Sequence, residues 1–571
     1  MPRRVLIVTG SLLTSDEPSV FAALRKQLGA LKAGSGAWLD LQAKLDLGER
    51  LIAMRLERSS RRYRRAPYRD TVDRYLAPLA DLEGPELTEV ALATLLDREG
   101  LEFDAASYAE LYADPERRAE LLNRNDVVFA SSTLLRDLGE VTPMLAMLRR
   151  PGNKVVAGGA LAGLLHRQWA DDVGADLLAV GYGELLVPAL AAWIRSDYTE
   201  LSPPPGGRLE VRGKMVVVHS GTPEGRSLDH LPTPNWSLAE RYHQRRYRLV
   251  KYESVRGCPY RCEFCNYPFL FDDTRFRYRS AEQIDADWQV LEAGGAEYVS
   301  CLDSLFTMPR RRLKELCGRL VARKSRLKWI CYARADDLAD AETTERMAEA
   351  GCVQVHIGIE SGSQRVLDAM NKVVTVEANH RAVENCRRFG ITSFATFILG
   401  FPGSTWADEE ATLAFLRASP PDLHYLAAFN TRFEGVPILS PERRAATGLV
   451  VQAAGRSGQP YWRHETMSCT EVGSILREHS RAVRLERLSL DGGLFLANSL
   501  RFRPEDRAAL LEFQRDSATH HPWLVGAADR LHRWIQGRLE VDVERVLAGP
   551  SRVFTLDQGG SAVQGVPDAH P

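Results

Sequence analysis

Val250-Lys-Tyr-Glu-Ser-Val-Arg256-Gly-Cys258-Pro-Tyr-Arg-Cys262-Glu-Phe-Cys265 is the stretch from which the rest of the chain can be read. Its first half alternates like a strand. A glycine then turns the chain into a loop that holds three thiols in a C-x3-C-x2-C spacing. With nine cysteines among 571 residues, that spacing has a chance expectation of only about 0.002. Three thiolates on one short loop can hold three irons of a [4Fe–4S] cluster and leave the fourth iron open. Zinc is the plainer alternative, but it usually takes four ligands, often as two separated pairs. No second cysteine pair follows, and the nearest histidine, His243, lies well upstream.

Working outward, strands are predicted at 250–256, 297–303, 328–333, 353–360, 392–399 and 422–430, with amphipathic helices between them. One helix is opened by Ser280, with Gln283 completing a capping box. It carries Ile284, Trp288 and Leu291 on one face and stops at Gly294-Gly295. Six such units imply an open, partial (β/α)6 version of the parallel TIM-type barrel.

Upstream, Val5–Val8, Val127–Ala130, Val155–Ala157 and Leu177–Val180 read as buried strands. The last three end in Ser131-Ser132-Thr133, Gly158-Gly159 and Gly181-Tyr182-Gly183-Glu184. Apolar strands with glycine or hydroxyl turns at their C-terminal ends predict a Rossmann-like, doubly wound parallel sheet with its ligand beyond those ends. Between the first two, about Ser19 to Asn125 reads as long, helical and polar. The fold class is therefore α/β. The expected domains are a Rossmann-like domain over 1–200, a linker with a small hairpin over 201–245 and the barrel over 246–440. A mainly helical region over 441–549 and a disordered tail over 550–571 follow.

Lys and Arg total 74 and Asp and Glu total 75, a formal net charge of −1. That balance argues against a dedicated nucleic-acid partner. No apolar run reaches the ~18 residues of a membrane span. The start is too short for a signal peptide, and the cysteine pattern suits a reduced compartment, so a cytoplasmic location is expected.

The cysteine spacing, with Phe264 before the last thiol, resembles the radical S-adenosylmethionine (SAM) superfamily over about residues 245–440. The resemblance implies that Cys258, Cys262 and Cys265 bind a [4Fe–4S] cluster. It also places SAM against Asp303 and Ser304 after the second barrel strand, Arg334 after the third, Gly358, Glu360 and Ser361 at the fourth, and Gly400 at the fifth. Arg334 would pair with the methionine carboxylate, and Glu360 would accept bonds from the nucleoside or methionine end. An external flavodoxin- or ferredoxin-type electron donor is implied too.

The N-terminal domain and its Leu228-Asp-His-Leu-Pro-Thr-Pro234 linker resemble the cobalamin-dependent, class B methyltransferase subfamily. Ser131, Ser132, Thr133, Gly158, Gly159, Gly181, Tyr182, Gly183 and Glu184 are then the cobalamin contacts. None of the 13 histidines lies in an Asp-x-His-x-x-Gly context, so no histidine is expected below cobalt. The Arg-rich run from Arg55 to Arg69 reads as a solvated helix face, or, more sharply, as a source of one arginine near the cobalamin.

The implied activity is transfer of a methyl group from SAM, through cobalamin, to an unactivated carbon or phosphorus of a small, secondary-metabolite-like substrate. A cyclase or rearrangement enzyme with the same cofactors is the alternative, and a cobalamin and iron–sulfur sensor is the alternative of another class. Tyr461, Trp462, Arg463 and His464 are candidates for lining the barrel mouth.

Overall fold

The computed structural model describes residues 3–10, 53–77, 82, 84–135, 138–169, 173–271, 273–431, 436–452, 461–492, 496–519 and 530. The tail over 550–571 and most of the expected helices over 11–52 and 520–549 lie outside them. Among the described residues, no helix is long and apolar enough to cross a membrane.

Two seven-stranded sheets organise the chain. The first contains β1 (Arg4–Thr9), β2 (Glu102–Ser107), β3 (Val127–Ser131), β4 (Lys154–Gly158), β5 (Leu177–Val180), β6 (Arg208–Arg212) and β7 (Met215–His219). Their order is β2-β1-β3-β4-β5-β7-β6, parallel except for β6 against β7. Separate apolar cores pack on its two faces, as a doubly wound sheet requires. The order reverses between β1 and β3, and ligands of such sheets bind outside the strand ends at that switch point.

Two expectations change here. Strand β2 falls inside the stretch that reads as helical and polar. Its Asp104 is 1% exposed and accepts bonds from Arg124 Nε (2.8 Å) and Asn125 Nδ2 (2.9 Å), so a buried ion pair disguises a strand as a polar segment. The hairpin expected in the linker is β6–β7, and β7 pairs with β5, so the hairpin forms the edge of the first sheet. Val217 and Val218 on opposite faces of β7 join the two cores and hold it there.

The second sheet contains β8 (Leu249–Tyr252), β11 (Tyr298–Cys301), β12 (Lys328–Ala333), β13 (Cys352–Glu360), β14 (Thr392–Leu399), β15 (Leu423–Ala428) and β18 (Leu490–Asp491). Its order, β18-β15-β14-β13-β12-β11-β8, is sequential and wholly parallel. This is the open barrel expected, with a short seventh strand added from the C-terminal region. Short β9 (Val255–Arg256) and β10 (Arg277–Tyr278) pair beside it, and β16 (Val450–Gln452) pairs with β17 (Tyr461–Arg463).

Helix Ala281–Ala293 buries Ile284, Trp288 and Leu291, and Ser280 accepts from the Gln283 N–H at 3.0 Å. The reciprocal half of the capping box is replaced. Gln283 bonds Asp287 (2.7 Å), and the Ser280 N–H is taken by Asp229 of the linker (2.8 Å).

From Arg61 onward the Arg-rich run lies in and between helices Arg61–Arg65 and Arg69–Tyr75. Their buried Tyr63, Val72 and Tyr75, with Tyr68 between the helices, cluster with Phe513 of helix Arg507–Thr519 and with Phe394, Leu423 and Leu490. Leu423 and Leu490 begin their strands, so this layer plugs the N-terminal end of the second sheet. The arginines Arg61, Arg64 and Arg65 face outward, as the solvated-face reading expects.

Candidate active site

Gly257 has φ +72°, and a Cβ there would collide with the Arg275 carbonyl oxygen, so only glycine lets the chain turn from β9 into the cysteine loop. Cys262 is buried, Cys258 and Cys265 are half-buried, and all three are free thiols. Burial pushes their pKa values up, Cys265 to about 12. The charges of Arg334 and Lys372 oppose this at Cys258 and Cys262. Among the described residues, no three His, Cys, Asp or Glu converge on a single-ion position.

The loop is pinned from several sides. The Glu263 N–H donates to the Met370 carbonyl (2.9 Å), and the Glu263 carbonyl accepts from the Ile438 N–H (2.9 Å). Its carboxylate takes Arg443 from the C-terminal region at 2.8 Å. Asn371 donates to the Arg261 carbonyl at 2.8 Å. Phe264 lies with its ring centroid 5.7 Å from Lys372 Nζ.

The residues expected around SAM do gather at the strand ends, but several are already committed. Asp303 is 1% exposed and accepts from the Ser254 N–H (2.6 Å), the Val255 N–H (2.7 Å) and the Ser254 hydroxyl (2.6 Å). It staples β9 to the end of β11 at the place where SAM is expected. The Ser304 hydroxyl donates to the Gly257 carbonyl at 2.9 Å.

Arg334 stacks on Tyr260, 3.7 Å from the ring centroid. It donates to the Lys372 and Val373 carbonyls (2.7 and 3.0 Å) and to Asp336 (2.9 Å). It ties the third strand to the cysteine loop. Glu360 sits past a register shift in β13 with φ +65°, and its carboxylate accepts from Lys372 Nζ at 2.8 Å. Both are buried. Gly358 makes room for this pair, because a Cβ there would meet Lys372 Nζ at 2.7 Å. Ser361 is buried and accepts from the Ser363 N–H at 3.1 Å. Gly400 has φ +72° and lets Val472 and Trp462 of the C-terminal region close on its backbone.

Trp462 and His464 stack with centroids 5.7 Å apart. Trp462 donates to the Phe429 carbonyl at 3.0 Å, so both are packing residues.

Lys372 was not legible in the sequence. It lies on a turn beyond helix Gln364–Ala369, with no motif to single it out. Arg256 left a signal, a charge at the end of an apolar strand just before Gly257-Cys258.

At the first sheet's strand ends, Thr133 and Gly159 are exposed, and Gly158, Gly181 and Gly183 are partly open. Gly159 has φ +100°, and a Cβ there would meet Thr133 Oγ1 at 2.6 Å. The Ser131 hydroxyl bonds Thr133 Oγ1 at 3.1 Å, and the Ser132 hydroxyl donates to the Gly158 carbonyl at 2.7 Å.

Tyr182 and Glu184 do something else. Tyr182 bonds Asp273 (3.1 Å) and Arg277 (2.8 Å) and stacks on Phe271 at 5.3 Å. Glu184 accepts from Arg256 at 2.9 Å. Burial works to raise the Glu184 pKa, but Arg256 holds it below the usual carboxylate range. These two side chains join the first sheet to the cysteine loop and its surroundings, at the strand end where cobalamin is expected.

Gly163 belongs to the same interface, since a Cβ there would run into the Leu270 carbonyl oxygen. Helix propensity alone predicts that Gly163→Ala stabilises its helix by up to about 1 kcal/mol. We expect the opposite sign, a lower melting temperature in thermal unfolding, because the two layers must separate. A rise in melting temperature would show that the layers are not in contact here.

Residues 252–416 match the family model described as the Radical SAM superfamily. An uncharacterized methyltransferase of Pyrococcus horikoshii is 28% identical over 194 residues, 34% of this chain and 42% of the relative. The anaerobic magnesium-protoporphyrin IX monomethyl ester cyclase of Cereibacter sphaeroides is 26% identical over 324 residues, 55% of this chain and 53% of the cyclase. The chain thus spans about half the length of these relatives. The solved structure of the radical SAM methyltransferase TsrM of Kitasatospora setae, with cobalamin and a [4Fe–4S] cluster bound, superposes with a TM-score of 0.59 at 17% identity. It covers 90% of this chain and 99% of that one. Taken with the cysteine loop at the mouth of an open parallel barrel, these likenesses establish that the chain carries a radical SAM domain and has the fold of the cobalamin-dependent radical SAM enzymes.

Proposed function

We propose that the chain is a cobalamin-dependent radical SAM methyltransferase acting on an unactivated carbon or phosphorus of a small molecule, with an external low-potential electron donor. One observation carries this reading. The buried Glu184–Arg256 pair brings the strand ends of the first sheet to within two residues of Cys258, so ligands of both sheets would lie face to face.

The residues present fit the cofactors. Cys258, Cys262 and Cys265 would hold a [4Fe–4S] cluster with one iron open to SAM. Their loop is fastened by backbone bonds, so binding need not build it. Thr133 and Gly159, open near the switch point, suit the approach of a broad, flat cobalamin. Cobalamin supplies a transferable methyl group, and the cluster supplies the electron that cleaves SAM. The chain's own side chains hold the loop and bury the Glu360–Lys372 pair beside it.

The only histidines within residues 1–220 are His166 and His219, both buried, with rings 5.2 Å apart. Electron paramagnetic resonance of the Co(II) form should therefore show no axial nitrogen splitting that changes when the protein's histidines carry 15N, and such a change would refute that reading of the lower face.

The cyclase likeness favours a second reading, ring closure without net methylation, because that alignment covers more of this chain than the methyltransferase alignment does. Turnover with SAM deuterated at its methyl group separates them. Methyl transfer adds a labelled methyl to the product, whereas cyclisation adds none. Absence of both products, with the two cofactors bound, would count against an enzyme of either kind.

A further inference from the structure

Four arginines of the run between Arg55 and Arg69 meet in one place. Residues 53–59 are helical and carry Arg55 and Arg58 three positions apart, on one face. Arg64 lies near the end of helix Arg61–Arg65, and Arg69 opens helix Arg69–Tyr75. Short turns join the three segments, and their four arginines line a surface cleft of about 450 Å3. Ser59, Tyr63 and Asp73 complete the lining.

The cleft stands on a fixed base. Tyr63 is buried and meets the Phe513 ring edge-on at 5.7 Å. Its hydroxyl donates to Asp73 at 2.9 Å, and Arg58 donates to the same carboxylate oxygen at 2.9 Å. Arg69 donates to the Arg64 carbonyl at 3.4 Å and to the exposed Asp70 at 2.7 Å. The fold itself therefore sets where these arginines stand.

Charge is not balanced there. Arg58 is answered by Asp73 and Arg69 by Asp70. Arg64 donates only to a backbone carbonyl, that of Ser59, and Arg55 has no partner among the described residues. Other arginines nearby do find acids in the C-terminal region, Arg62 at Asp516 (3.4 Å) and Arg74 at Asp506. Two guanidinium groups thus share the cleft without a carboxylate of their own. Converging like charges repel, and a dianion placed between them relieves that repulsion.

The planar fork of arginine matches the oxygens of a phosphoryl group, which accepts two parallel hydrogen bonds from each. The volume of the cleft falls in the range of small-molecule sites, so the organic part of an ester has room beside the phosphoryl group.

We propose that this cleft binds the dianionic phosphoryl group of a small phosphate monoester, held by Arg55 and Arg64 and flanked by Arg58 and Arg69. The site is separate from the reaction centre. Tyr63 beneath it belongs to the layer at the N-terminal end of the second sheet, whereas the cysteine loop lies at the opposite strand ends. The proposal needs no part of the function proposed above. A nucleic-acid backbone would call for a basic track along the surface and an excess of positive charge, and the chain's formal net charge is −1.

Phosphorus magnetic resonance of glucose 6-phosphate, titrated with the full chain at fixed ionic strength, tests the proposal. The signal should change saturably, with one site per chain, and inorganic phosphate should compete. Arg55→Glu and Arg64→Gln should each weaken binding about tenfold or more, the weight of one charge-assisted hydrogen bond. Arg61→Glu changes an exposed arginine outside the cleft and should bind as wild type does. All three side chains are exposed, so circular dichroism should match wild type. If Arg55→Glu does not fold, Arg64→Gln decides.

A titration that does not saturate, or equal binding by wild type and the two cleft variants, would overturn the proposal. Equal losses in Arg61→Glu and Arg55→Glu would also overturn it, because they mark a diffuse effect of charge. So would tighter binding of a single-stranded oligonucleotide without a terminal phosphate, lost in the same cleft variants, which would assign these arginines to a nucleic-acid backbone.

Discussion

Alanine at Cys258, Cys262 and Cys265 together is expected to abolish iron binding while leaving the fold in place. Wild-type protein reconstituted without oxygen should take up about four irons and four sulfides per chain, and the triple variant none. The rest of the chain offers no substitute. Cys301, Cys317, Cys331, Cys352 and Cys386 are buried, and they belong to the core under the barrel helices. Cys469 starts a helix of the C-terminal region.

The loop should survive the loss of its thiols, because its geometry rests on Glu263, Arg261 and Ser304. They bond Met370, Ile438, Arg443, Asn371 and Gly257. Circular dichroism should therefore be unchanged, with iron and sulfide analysis and the cluster's visible absorption lost. A full iron complement in the triple variant would sink the cluster assignment and, with it, the proposed function.

The second large effect falls on stability. Removing one partner of a buried ion pair typically costs about 3–5 kcal/mol, because the other charge is left desolvated and alone. Arg256 is buried between Glu184 of the first sheet and Glu253 beside its own strand, at 2.9 Å from each. Arg256→Met leaves two carboxylates facing each other without a cation, so its unfolding midpoint in denaturant should drop clearly. Glu184→Leu combined with Arg256→Met should recover much of the loss, because replacing a buried pair by apolar groups is often close to neutral.

A double-mutant cycle reads the coupling directly. Single variants as stable as wild type would show that the two sheets are not latched here. The latch would then be only a surface contact.

The cysteine spacing and the six main barrel strands could be read locally, because each depends on a short run of residues. Apolar alternation shows a strand wherever burial is apolar. It fails at β2, where Asp104 is buried by an ion pair with Arg124, a partner twenty positions on. It also cannot tell a free hairpin from a sheet edge, since β6 and β7 look the same until β7 meets β5.

The strand-end motifs lie at strand ends, but the partners of their side chains within the protein are not legible in the sequence. The partners of Tyr182 and Glu184, namely Asp273, Arg277 and Arg256, lie some seventy to ninety-five positions away. Asp303 likewise accepts from Ser254 and Val255 of a different segment.

The sequence by itself thus determined the cysteine loop, the parallel barrel behind it and the glycine- and hydroxyl-tipped sheet in front. Covalent spacing and local periodicity are properties of neighbours along the chain. Only the tertiary structure decided that Lys372 pairs with Glu360, that Arg256 latches one sheet to the other and that Asp303 accepts from Ser254 and Val255. Hydrogen-bond partners, desolvation and cavities arise where distant segments meet, and no short window of sequence contains both sides of such a contact.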